Sequence, residues 1–233
     1  TVALLMRQGV VQATMVLCGV VLARALDPAK FGVYVLCTFL SSLLLIVGDL
    51  GLGAFLVRAE AAPPSRWWST LFTVRQISDC VVIAVFLAVV PYVAHWYSLA
   101  PGEVTAIRVL SLILPLTTLA LIPLVRCERE MRFGTIAIIE SIQAICYATV
   151  VLNYADRGAN GFVMAWITHA LCGAVLYQLA CGWRPAWSLD RDLIRRAVSF
   201  SLPYQAAGAG HIARDGAIPL LVGAMLGASA GGI

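Results

Sequence analysis

Charge is scarce in this chain. Of its 233 residues, 12% are Asp, Glu, Lys or Arg, against about 25% in an ordinary soluble domain. A globular protein of this length must present much of its surface to water, so a soluble enzyme and a disordered tail are both excluded. Lysine is nearly absent: Lys30 is the single one, beside fifteen arginines. No two of the seven cysteines are spaced C-x-x-C, and no histidine stands near enough to complete a zinc pattern. No glycine-rich phosphate loop, paired-carboxylate motif or H-E-x-x-H is present. The expectation is therefore no enzyme, no cofactor and no metal site. No charged n-region precedes a cleavage site, so no signal peptide is read. The chain begins at Thr1 and ends, after Gly227, without a polar tail; both ends are expected to be cut from a longer protein.

What fills the chain is apolar. Hydrophobic residues make up 61%, with a mean hydropathy of +0.90. Seven segments stand out, at Leu4–Ala25, Phe31–Val57, Leu71–Trp96, Thr105–Val125, Ile136–Tyr154, Phe162–Gly182 and Val198–Leu226. Each is long enough for a membrane helix, which needs about 20 residues. Lipid offers backbone groups no partners, so spanning segments are helices or closed barrels. Barrel strands alternate, and these runs do not. The fold expected is an all-α polytopic membrane protein with about seven transmembrane helices. Breakers mark the gaps: Asp27-Pro28, Pro63-Pro64, Pro101-Gly102 and Arg184-Pro185. Trp67, Trp68, Trp96, Tyr97, Trp183 and Trp187 cluster near span ends, as an interfacial belt does.

Arginine placement orients the spans. Arg58, Arg66, Arg126, Arg129, Arg132, Arg184, Arg191, Arg195 and Arg196 fall in alternate gaps, while the other gaps hold Arg24, Lys30 and Arg157. The positive-inside rule puts the nine-arginine side, and with it the N-terminus, in the cytoplasm. Such short-gap arginines read as orientation and not as a nucleic-acid surface. The sixth gap begins with Ser188 as an N-cap candidate. Leu189, Leu193, Ala197 and Phe200 then recur near the helical period, which predicts a short amphipathic helix on the cytoplasmic face. It is either a hinge between bundles or a plain connector. Residues 1–182 thus hold six expected spans, 183–197 a linker and 198–233 a seventh expected span.

Ionisable groups inside spans are expensive and usually face a bundle interior or a wet cavity. Asp49 lies in Gly48-Asp49-Leu50-Gly51-Leu52-Gly53 of the second span; it either lines a cavity or pairs with a neighbouring arginine. Arg75 and Asp79 are four residues apart on one face of the third span and can pair. Glu140 sits one turn into the fifth, as cavity group or cap. His211, Arg214 and Asp215 gather in the seventh and suggest a cavity lining or a proton carrier. His169, alone in the sixth, reads as a packing residue. The cysteines inside apolar runs read as small hydrophobes.

Several stretches are similar to one family. Ala23-Arg24-Ala25-Leu26-Asp27-Pro28-Ala29-Lys30-Phe31-Gly32-Val33-Tyr34 resembles its joint between the first two spans. Gly48-Asp49-Leu50-Gly51-Leu52-Gly53 with Leu56-Val57-Arg58 resembles the end of its second span, and Ser69-Thr70-Leu71-Phe72 the start of its third. Arg129-Glu130-Met131-Arg132-Phe133, with Ile139-Glu140 beyond, resembles its cytoplasmic joint. Asp215 with Leu221-Val222-Gly223-Ala224-Met225-Leu226-Gly227 resembles the close of its seventh span. These are marks of Wzx-type polysaccharide (O-antigen and exopolysaccharide) flippases of the multidrug/oligosaccharidyl-lipid/polysaccharide exporter superfamily. Arg126, His211 and Arg214 depart from the pattern.

The resemblance implies the N-terminal half of a two-bundle exporter fold in the bacterial inner membrane. It implies transport of an undecaprenyl-pyrophosphate-linked oligosaccharide for lipopolysaccharide or exopolysaccharide biosynthesis by alternating access. Membrane lipids and a polysaccharide polymerase with other assembly proteins are the implied partners. Arginine suits a pyrophosphate because its fork matches phosphate oxygens; Arg24, Arg75 and Arg214 are the candidates for the substrate path. Asp49, Asp79, Glu140, His211 and Asp215 are candidates for ion coupling or the cavity wall. The alternatives are a cation-coupled multidrug or metabolite exporter and a non-transporting membrane scaffold.

Overall fold

The computed structural model describes residues 2–49, 51, 52, 55, 56, 64–197 and 199 of the chain. It is an all-helical bundle, with no strand among the described residues. Its helices are α1 (Val2–Ala25), α2 (Pro28–Gly48), α3 (Ser65–Trp96), α4 (Pro101–Leu110), α5 (Ile113–Arg129), α6 (Phe133–Tyr154) and α7 (Ala159–Cys181). A single 3-10 turn, Ala155–Arg157, precedes α7, and residues 191–197 are again helical. Among the described residues, five stretches are long and apolar enough to cross a bilayer: Lys30–Gly48, Ser65–Trp96, Pro101–Arg129, Phe133–Arg157 and Ala159–Cys181. In α1 the apolar part runs Val11–Arg24. Of the seventh expected span only Ser199 is among the described residues.

Three boundaries differ from the sequence expectation. The second span stops at Gly48 instead of running to Val57. Asp49 is its C-cap, with φ −76° and ψ 89°, and Gly51 takes φ +65°, a conformation that costs glycine nothing. Asp49 Oδ1 accepts the Gly51 N–H at 3.2 Å, the local side-chain bond by which Asp competes with helix. The third span begins at Ser65, six residues early. At 32 residues and 1.5 Å per residue it is about 48 Å long, more than the roughly 30 Å hydrocarbon core.

The fourth expected span is broken in two at Ser111-Leu112. Pro115 explains this: its ring excludes a helical carbonyl at Ser111 and it brings no N–H. The chain there tightens to three-residue bonds, Ser111 N–H to Arg108 O at 3.2 Å and Leu114 N–H to Ser111 O at 3.2 Å. Pro123 sits inside α5 and leaves the Leu119 carbonyl without its helical donor. Gln178 of α7 supplies one, its Nε2 lying 3.0 Å from Leu119 O.

Packing follows helical stripes. Val33, Leu36, Cys37, Leu40 and Leu44 of α2 form one buried stripe at the spacing of a single helix face. They meet Phe86 and Val90 of α3, Ile107 and Leu110 of α4, and Phe162 of α7. Cys18 and Leu22 of α1 pack on Tyr147 and Val151 of α6. Opposite faces carry exposed apolar rows, such as Val81, Val85 and Val89 on α3 and Leu171, Val175 and Leu179 on α7. Contiguous exposed apolar surface of this kind is uncommon on soluble monomers and is what lipid requires. This is a multi-pass membrane protein.

The two ends of the bundle are closed by different contacts. At one, Leu52, Leu56, Trp68, Leu71, Ile122, Val125, Leu193 and Ala197 form a shared core, and Arg129 Nη1 donates to the Leu56 carbonyl. The α5–α6 turn there is a Schellman closure: Arg132 N–H meets Cys127 O at 2.8 Å and Met131 N–H meets Glu128 O at 3.0 Å. Met131 occupies the left-handed position, φ +54°, where glycine is usual. At the other end Gly158 approaches Lys30.

Residues 183–197 fold onto the first end. Trp183 stacks edge-on against Phe72 at 5.3 Å, and the Ser188 N–H bonds Thr73 Oγ1 at 3.1 Å. The N-cap is Asp190, not Ser188: its Oδ1 accepts the N–H groups of Asp192 and Leu193 at 3.2 Å. Leu189 is 65% exposed while Leu193 and Ala197 are buried. The apolar face of this short helix is therefore turned to α3 and α5. Phe200 lies outside the described residues.

Candidate functional site

A cavity of about 540 Å³ opens between the helices, within the roughly 300–1,000 Å³ of small-molecule sites. Val11 of α1, Leu45 of α2, Ile113 and Leu121 of α5, and Ala170 of α7 give it an apolar frame. Its polar lining comes from Asp49, Arg75, Thr117, Glu140, Gln143, Trp166, His169 and Tyr177.

One wall is an ion cluster. Arg75 is buried, and its Nη1 lies 3.2 Å from Asp49 Oδ1 while its Nε lies 3.3 Å from Asp79 Oδ1. Thr118 of α5 completes the ring. Its hydroxyl accepts from Arg75 Nε at 3.2 Å and donates to Asp79 Oδ2. Asp79 is wholly buried behind the arginine, whereas the Asp49 side chain is 44% exposed. A lone charge there would be very costly, and pairing with added hydrogen bonds is what makes it tolerable. Close packing depends on Gly48: a Cβ on it would stand 2.7 Å from Leu114 Cδ2 and 3.5 Å from both Arg75 Nη2 and Asp79 Oδ1. The helix break at Asp49 is thus what delivers a carboxylate to Arg75.

The facing wall belongs to α6 and α7. Gln143 Nε2 donates to the His169 carbonyl at 3.1 Å. Gly173 makes room for it, since a Cβ there would fall 2.2 Å from that nitrogen. The His169 ring stands edge-on to Trp166 at 5.4 Å and to Tyr147 at 6.3 Å. Glu140 lies one turn before Gln143 on the same helix face and lines the cavity with it.

The candidates from the sequence divide as follows. Asp49, Arg75 and Asp79 meet in one cluster, and Glu140 joins the cavity from across. Asp49 stands past the end of its helix, a correction to its placement inside the span, because Gly48 and Gly51 end the helix around it. Arg24 is exposed in the last turn of α1 and is not part of the cavity lining. Arg214, His211 and Asp215 lie outside the described residues. Thr118, Gln143 and Trp166 were missed, and His169 is on the cavity wall as well as packed. For Gln143 and Trp166 a signal was the spacing, Glu140–Gln143 and Trp166–His169 being two i, i+3 pairs on successive spans; Thr118 gave none. Arg108, unweighed in the sequence, is exposed near the end of α4. Among the described residues no group of three or more His, Cys, Asp or Glu is arranged to hold a metal ion.

Residues 21–233 match the family of polysaccharide biosynthesis proteins. The chain belongs to that family. The match covers nearly all of this polysaccharide biosynthesis protein, including the ion cluster and both cavity walls, and it bears out the resemblance to polysaccharide flippases. No curated protein and no solved structure matches the chain.

Proposed function

We propose that this protein translocates an undecaprenyl-pyrophosphate-linked oligosaccharide across the bacterial cytoplasmic membrane, with its N-terminus and its arginine-rich end in the cytoplasm. Family membership supports a part in polysaccharide biosynthesis, and a polar cavity inside an apolar bundle supports transport. The observation that carries the reading is Arg75, a buried guanidinium on the cavity wall bound to a half-exposed carboxylate, Asp49, at 3.2 Å.

Asp49 serves as the resident counter-ion. A phosphate oxygen replaces it at Nη1, while Asp79 and Thr118 keep the guanidinium in place. Arginine suits the exchange because its fork binds carboxylate and phosphate alike. Rocking of this bundle against a second one then exposes the cavity to alternate sides, with Asp49 and Glu140 as carriers for a driving ion. The protein acts without catalysing a reaction, among membrane lipids and beside the polymerase that uses the flipped glycan. No nucleic acid is involved.

A second reading is a cation-coupled exporter. It is favoured by one observation: the described cavity walls hold two carboxylates, Asp49 and Glu140, against one guanidinium. Substitution in the full-length protein separates the two. R75Q should abolish surface polysaccharide, with R75K partly active and both variants reaching the membrane at wild-type levels. Unchanged polysaccharide in R75Q contradicts the flippase reading. Loss of drug resistance in E140Q, with polysaccharide intact, supports the exporter.

A further inference from the structure

We infer that Cys127 and Cys181 form a thiol–disulfide exchange site at the arginine-rich end of the bundle, where a bond between them locks α5 to α7 and stops transport. This rests on the reading of the cavity as the path of a lipid-linked glycan, and adds how that path is regulated.

The two sulfurs stand 3.0 Å apart across the α5–α7 contact. A disulfide bond is about 2.0 Å long, so closure by ~1 Å joins them. Helix geometry fixes what such a bond holds. Leu124 of α5 and Tyr177 of α7 both line the cavity. Cys127 follows Leu124 by three residues and Cys181 follows Tyr177 by four, the spacings that share a helix face. The pair therefore sits one turn beyond the cavity on both walls at once. Cys127 is buried there in a cluster with Ile136, Ile139 and Tyr177. A cavity of about 540 Å³ has the size of a small-molecule site. A lipid-linked glycan is larger, so the walls must part to admit it. A covalent link at this point keeps α5 and α7 from parting.

The pair is also placed for exchange. Cys181 is the last residue of α7 and is partly exposed, whereas Cys127 is buried. Water reaches this level: Arg132, with 41% of its side chain exposed, donates to the Ala180 carbonyl at 3.4 Å. Cys146 and Cys172, by contrast, are 3.9 Å apart and lie midway along α6 and α7. The oxidant is a low-molecular-weight disulfide, RSSR. The Cys181 sulfur gives up its proton and attacks one sulfur of RSSR; the S–S bond breaks, and RSH leaves with that proton. The Cys127 sulfur then attacks the Cys181 sulfur, the mixed disulfide breaks, and a second RSH leaves with the Cys127 proton. The protein thiols give up two electrons, and the small disulfide becomes two thiols. The second step is intramolecular between positioned groups, so the bridge outlasts the mixed disulfide. In a reducing cytoplasm both thiols stay reduced and the path is free; disulfides that do form in such compartments are transient and redox-sensing.

The test uses the full-length protein in vesicles with the glycan-bearing undecaprenyl-pyrophosphate lipid. The vesicles are treated with bis(2-hydroxyethyl) disulfide and then with excess 2-mercaptoethanol. Peptide mass spectrometry scores the Cys127–Cys181 bond, and glycan exposure scores transport. In wild type the bond should form, transport should be lost in step with the bridged fraction, and reduction should reverse both. C127S and C181S should transport equally before and after the disulfide, and C146S/C172S should respond as wild type does. Absence of the bond in wild type, a bond with transport unchanged, or equal inhibition of C181S overturns the inference, while the transport reading stands. If untreated wild type moves no glycan, that reading falls and takes the lock with it.

Discussion

Removing Arg75 alone should be far worse than removing it together with Asp79. The guanidinium and the Asp79 carboxylate are both buried, 3.3 Å apart, and Thr118 bonds each of them. R75M leaves Asp79 as a buried carboxylate with one hydroxyl for company. D79L leaves the guanidinium with Asp49 and the Thr118 hydroxyl. Breaking one side of a buried pair costs about 3–5 kcal/mol, whereas replacing both sides by apolar groups is often neutral. For a domain of 150–250 residues 1 kcal/mol shifts the melting temperature by roughly 2–4 °C, so R75M should melt roughly 6–20 °C below wild type. In R75M/D79L neither charge of the buried pair remains, and most of the loss should be recovered. The assay is thermal unfolding of the full-length protein in one detergent, followed for wild type, both single variants and the double. Losses that simply add would refute the cluster as a coupled unit.

Three further outcomes follow from the helix geometry. Q178L strips the Leu119 carbonyl of the donor it receives at 3.0 Å and should cost about 1–3 kcal/mol; P123A in the same chain returns a backbone N–H and should restore much of it in the same melting assay. M131G relieves the left-handed methionine at φ +54° and should stabilise by about 1 kcal/mol, with a lowered melting temperature counting against the strain. Cys127 and Cys181 hold their Sγ atoms 3.0 Å apart between α5 and α7. A mild oxidant should therefore remove both thiols together in wild type and leave Cys181 reduced in C127S, and a thiol count that stays unchanged in wild type contradicts the pairing.

The bundle was legible because lipid imposes one rule on every span: apolar residues over a fixed length, helical throughout. Long runs such as Phe162–Gly182 carried that signal plainly. The breaks were harder to read. A proline at position 115 and a glycine-aspartate-glycine pattern at 48–51 interrupt helices whose hydropathy runs on without a dip, so composition alone carries the span past them. The Arg75–Asp79 pair was legible from its i, i+4 spacing, and pairing of Asp49 with a neighbouring arginine was among the sequence readings. The part of Thr118 was not, because it enters from another helix, and only packing brings α5 to α3. The facing wall shows the same limit: Glu140 drew attention by its charge, while Gln143 and Trp166 carry none, and Gln143 is seated by the α6–α7 contact at Gly173.

The central claim is that this bundle forms the path of a lipid-linked glycan, and transport itself tests it. The full-length protein is reconstituted into vesicles loaded with the glycan-bearing undecaprenyl-pyrophosphate lipid, and outward-facing glycan is scored over time by its susceptibility to an added glycosidase. The account predicts that wild-type vesicles expose glycan initially held inside, that empty vesicles do not, and that R75Q vesicles match the empty ones. Equal exposure from R75Q and wild type would contradict it.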